Sequence, residues 1–374
     1  MSARLENWRE LGTSSDFGYV CLRHDAPGGD EVRELFRRLP GGAVSTPFQT
    51  PDFLRAFQAN MLEGVGGSFS LYEFRRAGTS TPLMLLPILT RKRGPIRIAS
   101  MPDLTLADQN APVLAKAYDV PPSHMPTLWA TFLQNLTGAD VLDFHNMTPM
   151  VEQQINPLYG LGDAAATEHL LMLDLQNDAA VAEWRRKSVF KELRSKFRKL
   201  EAEGVRFFMA ETPDERLAVC KTILRQKQTR FETLGRDNLL SSKSIANLYL
   251  DLAKVPHVYS PARLFGLRTD NEVVAGLMSL SSEDMINAVL LSIGDERWHR
   301  MSPGIVLMSK VVDWAQSAGV KNFSFGTGYQ RYKQRFGAEP KALKKISRSL
   351  TRAGEAYTMM RFMKDAAEQR LRRA

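Results

Sequence analysis

GDERWHRMSPG at residues 294–304, continued by IVLMSKVVDWAQSAG at residues 305–319, is the stretch that decides the fold. Three strand-like runs precede it, at residues 263–268, 273–280 and 285–293, and polar turns separate them. A helix is predicted from Ser302 to Ala318 and a further strand from Asn322 to Phe325. An antiparallel meander followed by one helix and one strand predicts an α/β domain with a mixed sheet.

The start of this helix has the residues of an anion-binding site. Ser302 is a good N-cap, and Pro303 stands at the first helical position, where its missing N–H has no consequence. Gly304 would let a ligand approach the first turn closely, Arg300 adds positive charge, and Ile305 begins the predicted buried stripe. The backbone N–H groups of such a helix start suit a pyrophosphate, although any well-capped helix begins in the same way.

The composition predicts a soluble protein of two domains, because the chain has 374 residues and a domain has roughly 100–200. Cys21 and Cys220 form no Cys-x-x-Cys pair, and the histidines form no metal-binding pair, so neither a disulfide framework nor a metal site is expected. The apolar stretch at residues 83–89 is far shorter than the roughly 20 residues of a membrane span, and residues 1–12 lack the apolar core of a signal peptide. The expected location is the cytoplasm, either free or peripheral at the inner membrane face.

The net charge of +9 is unevenly distributed. Residues 341–374 contain ten Lys/Arg against three Asp/Glu, and residues 185–199 contain eight Lys/Arg against one acid. Such density fits a solvated face, but charges of one sign repel each other, so an anionic partner, for example an acidic cofactor, a glycan or lipid head groups, is an equally open interpretation. No nucleic-acid-binding motif accompanies the charge.

The last 34 residues are predicted to be a basic helical tail. Gly354 would divide it into two helices, and one helical face would carry Leu343, Ile346, Leu350 and Ala353. Two interpretations stay open. The tail either closes the C-terminal domain by packing on it or docks on an anionic lipid or glycan surface.

Four further motifs occur in a fixed order around the deciding stretch. They are TPFQTPDFLRAF at 46–57, DQNAPVL at 108–114, KSVFKELRSKFRKLEAEG at 187–204 and GTGYQRYKQRFG at 326–337. Together with the Ser-Pro-Gly helix start, they resemble the GNAT-like acetyltransferase family found in bacterial cellulose and exopolysaccharide clusters, the CelD type. The resemblance spans roughly residues 30–340 and extends to the Fem-type aminoacyl transferases.

The resemblance implies an α/β (α+β) protein of tandem GNAT folds, each a mixed central sheet flanked by helices. The expected domains are residues 1–175, without CoA, residues 176–340, the acyltransferase domain, and the tail at 341–374. The implied donor is acetyl-CoA or a longer acyl-CoA. The implied reaction is direct transfer, in the cleft between the halves, to an amine or hydroxyl of a sugar, a lipid-linked saccharide or a small amine, as in polysaccharide biosynthesis.

Acyl transfer from a thioester needs a base near the acceptor, hydrogen-bond donors at the developing oxyanion and an acid for the leaving thiolate. Tyr332 and Tyr329 are candidate acids, Lys333 is a candidate partner of a phosphate or acceptor carboxylate, and Asp295 is a candidate for orienting the acceptor. Their structural alternatives are packing aromatics, a surface lysine and a turn-forming aspartate. The candidate cofactor-binding residues are Arg300, Ser302, Pro303, Gly304, Ile305 and Gly326.

Asp108 and Asn110 are candidate substrate-binding residues in a loop flanked by prolines, although an Asx turn would use the same residue types. Two other functions stay open for the whole chain. One is a non-catalytic scaffold of the same fold in polysaccharide or envelope assembly. The other is a transferase that takes its acyl group from aminoacyl-tRNA, which would also fit the basic charge.

Overall fold

The computed structural model describes residues 8–14, 18–163, 166–176, 178–235, 239–256 and 260–371. The chain divides into two compact units, each assembled from separate segments. The first unit comprises residues 1–45, 62–167 and 343–374, and the second comprises residues 46–61 and 168–342. Each unit therefore contains a segment distant in sequence from the rest of it.

The first unit is built on a mixed sheet with the strand order β1-β2-β4-β5-β6-β8-β17, numbered along the chain. Its β6 and β8 are parallel, and its other neighbours in this order are antiparallel. The elements are β1 (Trp8–Ser14), β2 (Tyr19–Asp25), α1 (Gly29–Arg37), β3 (Ala43–Val44), β4 (Ser68–Arg76), β5 (Pro82–Arg93), β6 (Ile96–Ser100), β7 (Val113–Ala115), α3 (Met125–Asn135), β8 (Val141–Met147), β9 (Met150–Val151), β10 (Gln154–Ile155), β17 (Glu339–Ser349, its first residues belonging to the second unit) and α10 (Arg352–Leu371).

Helix α3 closes the core of the first unit. Phe132 meets Tyr72 edge to face, with 5.0 Å between ring centroids, and Trp129 meets Phe144 at 6.0 Å. In its described part, helix α10 does not join this core. Its Tyr357 packs on a separate small cluster of Ile96, Ile98 and Val141.

The second unit has the sheet order β11-β16-β15-β14-β13-β12, in which only β15 and β16 are parallel among the described neighbours. Helices α6 and α8 cover opposite faces, because they meet alternate residues of β14: Ile223 lies beside Gly276, whereas Leu277 belongs to the core that α8 shares. The elements are α2 (Pro51–Met61), β11 (Glu168–Asp174), α4 (Asp178–Arg186), α5 (Ser188–Ala202), β12 (Arg206–Met209), α6 (Pro213–Thr233), α7 (Lys243–Lys254), β13 (Ala262–Arg268), β14 (Val273–Ser281), β15 (Met285–Ile293), α8 (Pro303–Ser317), β16 (Asn322–Thr327) and α9 (Arg331–Arg335).

The expected fold class is confirmed, since each unit is a mixed sheet flanked by helices. The two units share one order of elements. Three antiparallel strands are followed by a helix and by a strand parallel to the third, as β13-β14-β15-α8-β16 in the second unit and β4-β5-β6-α3-β8 in the first, where the short β7 is inserted before α3.

The expected helix at the start of the tail is wrong. Residues 339–349 form β17, which pairs antiparallel with β8, and Leu343 and Ile346 are buried in that strand. The expected division at Gly354 is also wrong, because α10 runs through it from Arg352 to Leu371. Within the described part of the chain, no helix combines the length and the apolar character needed to cross a bilayer.

Candidate functional site

The parallel strands β15 and β16 separate after three residues. Residues 285–287 pair with residues 322–324, yet β15 continues to Ile293. A bulge at Val289 accompanies the separation, because Met278 pairs with Leu290 while Ser279 pairs with Ala288. The edge of β15 from residue 288 onward therefore offers backbone groups to an extended, amide-containing ligand.

Helix α8 begins at the far end of this edge, after a short turn of 3₁₀ helix at residues 296–301. Ser302 occupies the N-cap position but its side chain makes no capping hydrogen bond, so the expectation of a serine cap is wrong. Its backbone is left-handed, with φ 51° and ψ 50°, and its Oγ instead accepts a hydrogen bond from Lys196 Nζ at 2.9 Å. Its carbonyl accepts from the N–H groups of Ile305 and Val306, both at 3.1 Å.

Lys196 is the functional candidate that sequence reasoning missed at this place. Its ammonium lies 2.8 Å from Glu192, which also pairs with Arg335 at 3.0 Å. A cation near a helix N-terminus is repelled by the positive end of the helix dipole. An anion bound between the Lys196 ammonium and the start of α8 would therefore be favoured. The sequence feature that could have pointed to Lys196 is its spacing of four residues from Glu192, which puts both side chains on one face of α5.

Gly304 serves helix packing in this structure. A β-carbon there would lie 3.1 Å from Ile293 Cδ1 and 3.4 Å from Leu291 Cδ2, so the absent side chain lets α8 approach β15. Pro303 is at the first helical position, as expected, and it is buried, while Ile305 is half-buried against the core. Arg300 is exposed on the preceding turn. Cofactor binding by these residues stays a prediction.

Lys333 is almost completely buried, at 3% exposure, and is therefore not the surface lysine of the alternative reading. Its ammonium donates to the carbonyls of Thr327 at 2.6 Å, Gly328 at 3.2 Å and Gly326 at 3.5 Å. Gly326 and Gly328 have φ of 77° and 84°, a left-handed backbone that glycine adopts readily. The glycine-rich turn is thus shaped around the Lys333 ammonium.

The two candidate tyrosines differ in environment. Tyr332 is half-buried on α9, where its ring meets Phe325 at 6.5 Å between centroids, and burial raises the pKa of its phenol. Tyr329 is 66% exposed. Tyr332 borders the core cluster of the second unit, to which residues of α8 and β16 contribute.

A pocket of about 970 Å³ lies between α6 and the end of β15. Asp295 lines it, and its carboxylate accepts a hydrogen bond from the Arg297 N–H at 2.9 Å, as the turn-forming alternative describes. Glu296 and His299 share this wall, while Arg225 and Arg230 stand on the α6 wall. Acidic and basic groups therefore face one pocket.

Lys227 is a second cation that the motifs did not single out. It is half-buried on α6, and its Nζ lies 3.4 Å from the Leu291 carbonyl of β15. Burial, and next the charge of Arg230, lowers the pKa of its ammonium. It places positive charge beside the strand that has lost its partner.

Asp108 and Asn110 lie in the first unit, in the loop between β6 and β7. Asn110 is completely buried, and its side-chain amide donates to Asp103 and to the His145 carbonyl at 3.1 Å. Its backbone forms a parallel bridge to Met147 of β8, beyond the point where β6 leaves β8. This loop occupies the place that corresponds to the β15–β16 separation. Substrate binding by Asp108 and Asn110 stays a prediction.

Residues 187–334 match the family model of the acetyltransferase (GNAT) domain. The match covers less than half of the chain and includes α5, the meander, α8 and most of α9. This part of the chain is therefore an acyltransferase domain of the GNAT type. No curated protein matches the sequence.

Solved structures share the fold over most of the chain. The DUF2156 domain of a putative lysylphosphatidylglycerol synthetase from Agrobacterium fabrum is 12% identical with a TM-score of 0.53, covering 89% of this chain and 96% of that one. FemX is 12% identical with a TM-score of 0.56, covering 85% and 95%. L-PGS from Bacillus licheniformis is 15% identical with a TM-score of 0.50, covering 82% and 94%. At these identities the similarity is one of fold.

Proposed function

We propose that the chain transfers an acetyl or longer acyl group from acyl-CoA to an amine or hydroxyl, by direct attack of the acceptor on the thioester. The observation that carries the proposal is the separation of β15 from β16 after Asn287, with the start of α8 at the end of the freed edge. An extended donor with amide groups fits such an edge, and its pyrophosphate would reach Lys196, Arg300 and Ser302.

The test is binding of the donor to the full chain. Saturating acetyl-CoA should raise the melting temperature by several degrees, because a ligand that binds only the folded state stabilises it. A non-catalytic scaffold should show no such shift. If aminoacyl-tRNA stabilises the protein and acetyl-CoA does not, the donor is an aminoacyl-tRNA and not an acyl-CoA.

Lys196→Met is expected to weaken CoA binding about tenfold. A charge-assisted hydrogen bond contributes roughly 1.5–3 kcal/mol, and about 1.4 kcal/mol corresponds to tenfold in affinity. Isothermal titration with CoA and with pantetheine checks the placement, since pantetheine lacks the pyrophosphate. The control is Lys199→Met, an exposed lysine of the same helix. An equal loss of affinity for pantetheine would contradict the placement of the phosphates.

Tyr332 is the better of the two candidate acids, because its phenol is half-buried and keeps its proton. The acceptor attacks the acyl carbon, the C–S bond breaks, and the thiolate takes the phenolic proton, which water restores. The acceptor's own proton leaves to solvent or to a base. A raised phenol pKa means that the acid form persists through the usual tyrosine range near pH 10.

Tyr332→Phe is accordingly expected to lower kcat about 100-fold, with little change in KM for acyl-CoA, as general-acid catalysis contributes roughly 10²–10⁴. The matched control is Tyr329→Phe at the exposed neighbour. The wild-type rate should show no alkaline loss from this group below about pH 10, since its acid form is lost only as pH rises through the raised pKa. A wild-type kcat in Tyr332→Phe would remove the tyrosine from the chemistry.

The pocket between α6 and the end of β15 adjoins the start of α8, where the donor's pyrophosphate is proposed to bind, so it would hold a part of the acceptor away from the acyl carbon. Arg225 and Arg230 suit an anionic group of the acceptor, and Asp295, Glu296 and His299 suit polar groups of the acceptor other than the reacting amine or hydroxyl. We therefore favour an acceptor such as a charged sugar, a lipid-linked saccharide or a small amine, in line with the CelD-type resemblance. A screen of such acceptors with acetyl-CoA, read by product mass, tests this class.

A further inference from the structure

Helix α10 is seated on the first unit by one face. Gly354 lies against the backbone of Asp140, and Tyr357 packs on Ile96 and its neighbours. Arg361 Nη1 reaches Asp143 Oδ2 at 2.9 Å. Because these three positions of α10 are three and four residues apart, they define a single stripe along the helix.

The outward side of the same helix is strongly apolar. Of the nine exposed large hydrophobic side chains in the described residues, four occur within five consecutive positions of α10. They form the apolar ridge: Met359 at 63% exposure, Met360 at 63%, Phe362 at 75% and Met363 at 60%. Single exposed hydrophobic residues are ordinary, but a contiguous group of them on a helix marks a surface for another partner.

Positively charged side chains flank the ridge along α10 and lie on the sheet beside it. Arg352 precedes it and Lys364 follows it on α10, and both are exposed. Arg93 is exposed at the end of β5 and pairs in register with Ile96, so it shares the sheet face on which Tyr357 packs. Within residues 352–364 of α10, whose side chains are described, Glu355 is the one acidic residue, and it is exposed. The ridge is therefore apolar at its centre and mainly cationic at its border.

We propose that this face of α10 docks on the surface of an anionic lipid bilayer, with the apolar ridge in the acyl boundary and the cations at the head groups. Neither signal alone gives stable membrane binding, whereas apolar insertion combined with basic charge does. A second copy of the chain fits less well, because a two-fold contact would place the same cations against each other. An anionic glycan would match the charge but offers nothing to the apolar ridge.

The experiment is sedimentation of the full chain with vesicles of phosphatidylcholine alone or mixed with phosphatidylglycerol. Binding should require the anionic lipid and should fall steeply between low salt and 0.5 M salt, where charges are screened within a few ångströms. The double variant Phe362→Ser/Met363→Ser should bind at least about tenfold more weakly, because two large apolar side chains no longer insert. Its control is Ile155→Ser, which removes another exposed hydrophobic residue, at 74% exposure, from the same unit.

Three results would overturn the proposal. Full-length protein that ignores anionic vesicles at low salt has no lipid-docking face. An equal loss of binding in Ile155→Ser and in the double variant would make the ridge irrelevant. Self-association that the double variant abolishes, without any vesicle binding, would assign the ridge to a second copy. None of these outcomes depends on whether acyl-CoA is the donor.

Discussion

Lys333→Met is expected to destabilise the protein by about 3 kcal/mol. The ammonium is buried and donates to three backbone carbonyls of the turn after β16, at residues 326–328. Methionine has similar length but no donor, so the three carbonyls would lose their partner inside a largely buried turn, and each buried unpaired polar group costs about 1–3 kcal/mol. Urea unfolding followed by circular dichroism gives the change in free energy.

The matched control is Lys341→Met. Lys341 is partly exposed and pairs with Glu339 at 3.2 Å, and a surface ion pair contributes only about 0–1 kcal/mol. A Lys333→Met protein as stable as wild type but unable to transfer acyl groups would instead support the chemical role that the motif predicts. The two readouts, unfolding free energy and kcat, therefore separate a structural lysine from a reacting one.

The local patterns of the second unit were sufficient to predict its three-stranded meander, its central helix and the strand that follows. The strand expected at 285–293 is observed with the same bounds, and the helix expected from Ser302 to Ala318 is observed from Pro303 to Ser317. These elements follow from short-range information, namely turn residues and apolar periodicity within one segment.

The tail shows where such information ends. Leu343 and Ile346 fit a helical face, yet they lie in β17, because the strand partner is β8, about two hundred residues earlier in the chain. The segment at 46–61 likewise belongs to the second unit, where Asn60 donates to Asp251 at 2.8 Å. Pairings between distant segments leave no periodic signal in either segment.

At the candidate site, the start of the helix was predictable from the sequence, but its side-chain contacts were not. The Ser-Pro-Gly start was located correctly, whereas the left-handed backbone of Ser302 and its bond to Lys196 depend on how α5 packs beside α8. The motif around Lys333 was also recognised, but its burial is set by a turn that folds back over the ammonium. Residue types identify chemistry, while tertiary packing decides which groups are free to perform it.

Gly354→Ala is expected to destabilise the first unit by about 2–3 kcal/mol, although a glycine-to-alanine change inside a helix normally stabilises by up to about 1 kcal/mol. The sign reverses because a β-carbon at residue 354 would overlap the carbonyl oxygen of Asp140. To relieve this overlap, α10 must lift from the sheet and lose the packing of Tyr357 and the ion pair of Arg361 with Asp143.

Urea unfolding measures the sign, and hydrogen exchange along α10 shows whether the helix has lifted. The control is Ala356→Gly at an exposed position of the same helix, which should follow helix propensity and lose at most about 1 kcal/mol. A Gly354→Ala protein more stable than wild type would mean that α10 is not held against Asp140. In that case the stripe of Gly354, Tyr357 and Arg361 would not fix the orientation of the helix, and the outward position of the apolar ridge would lose its structural basis.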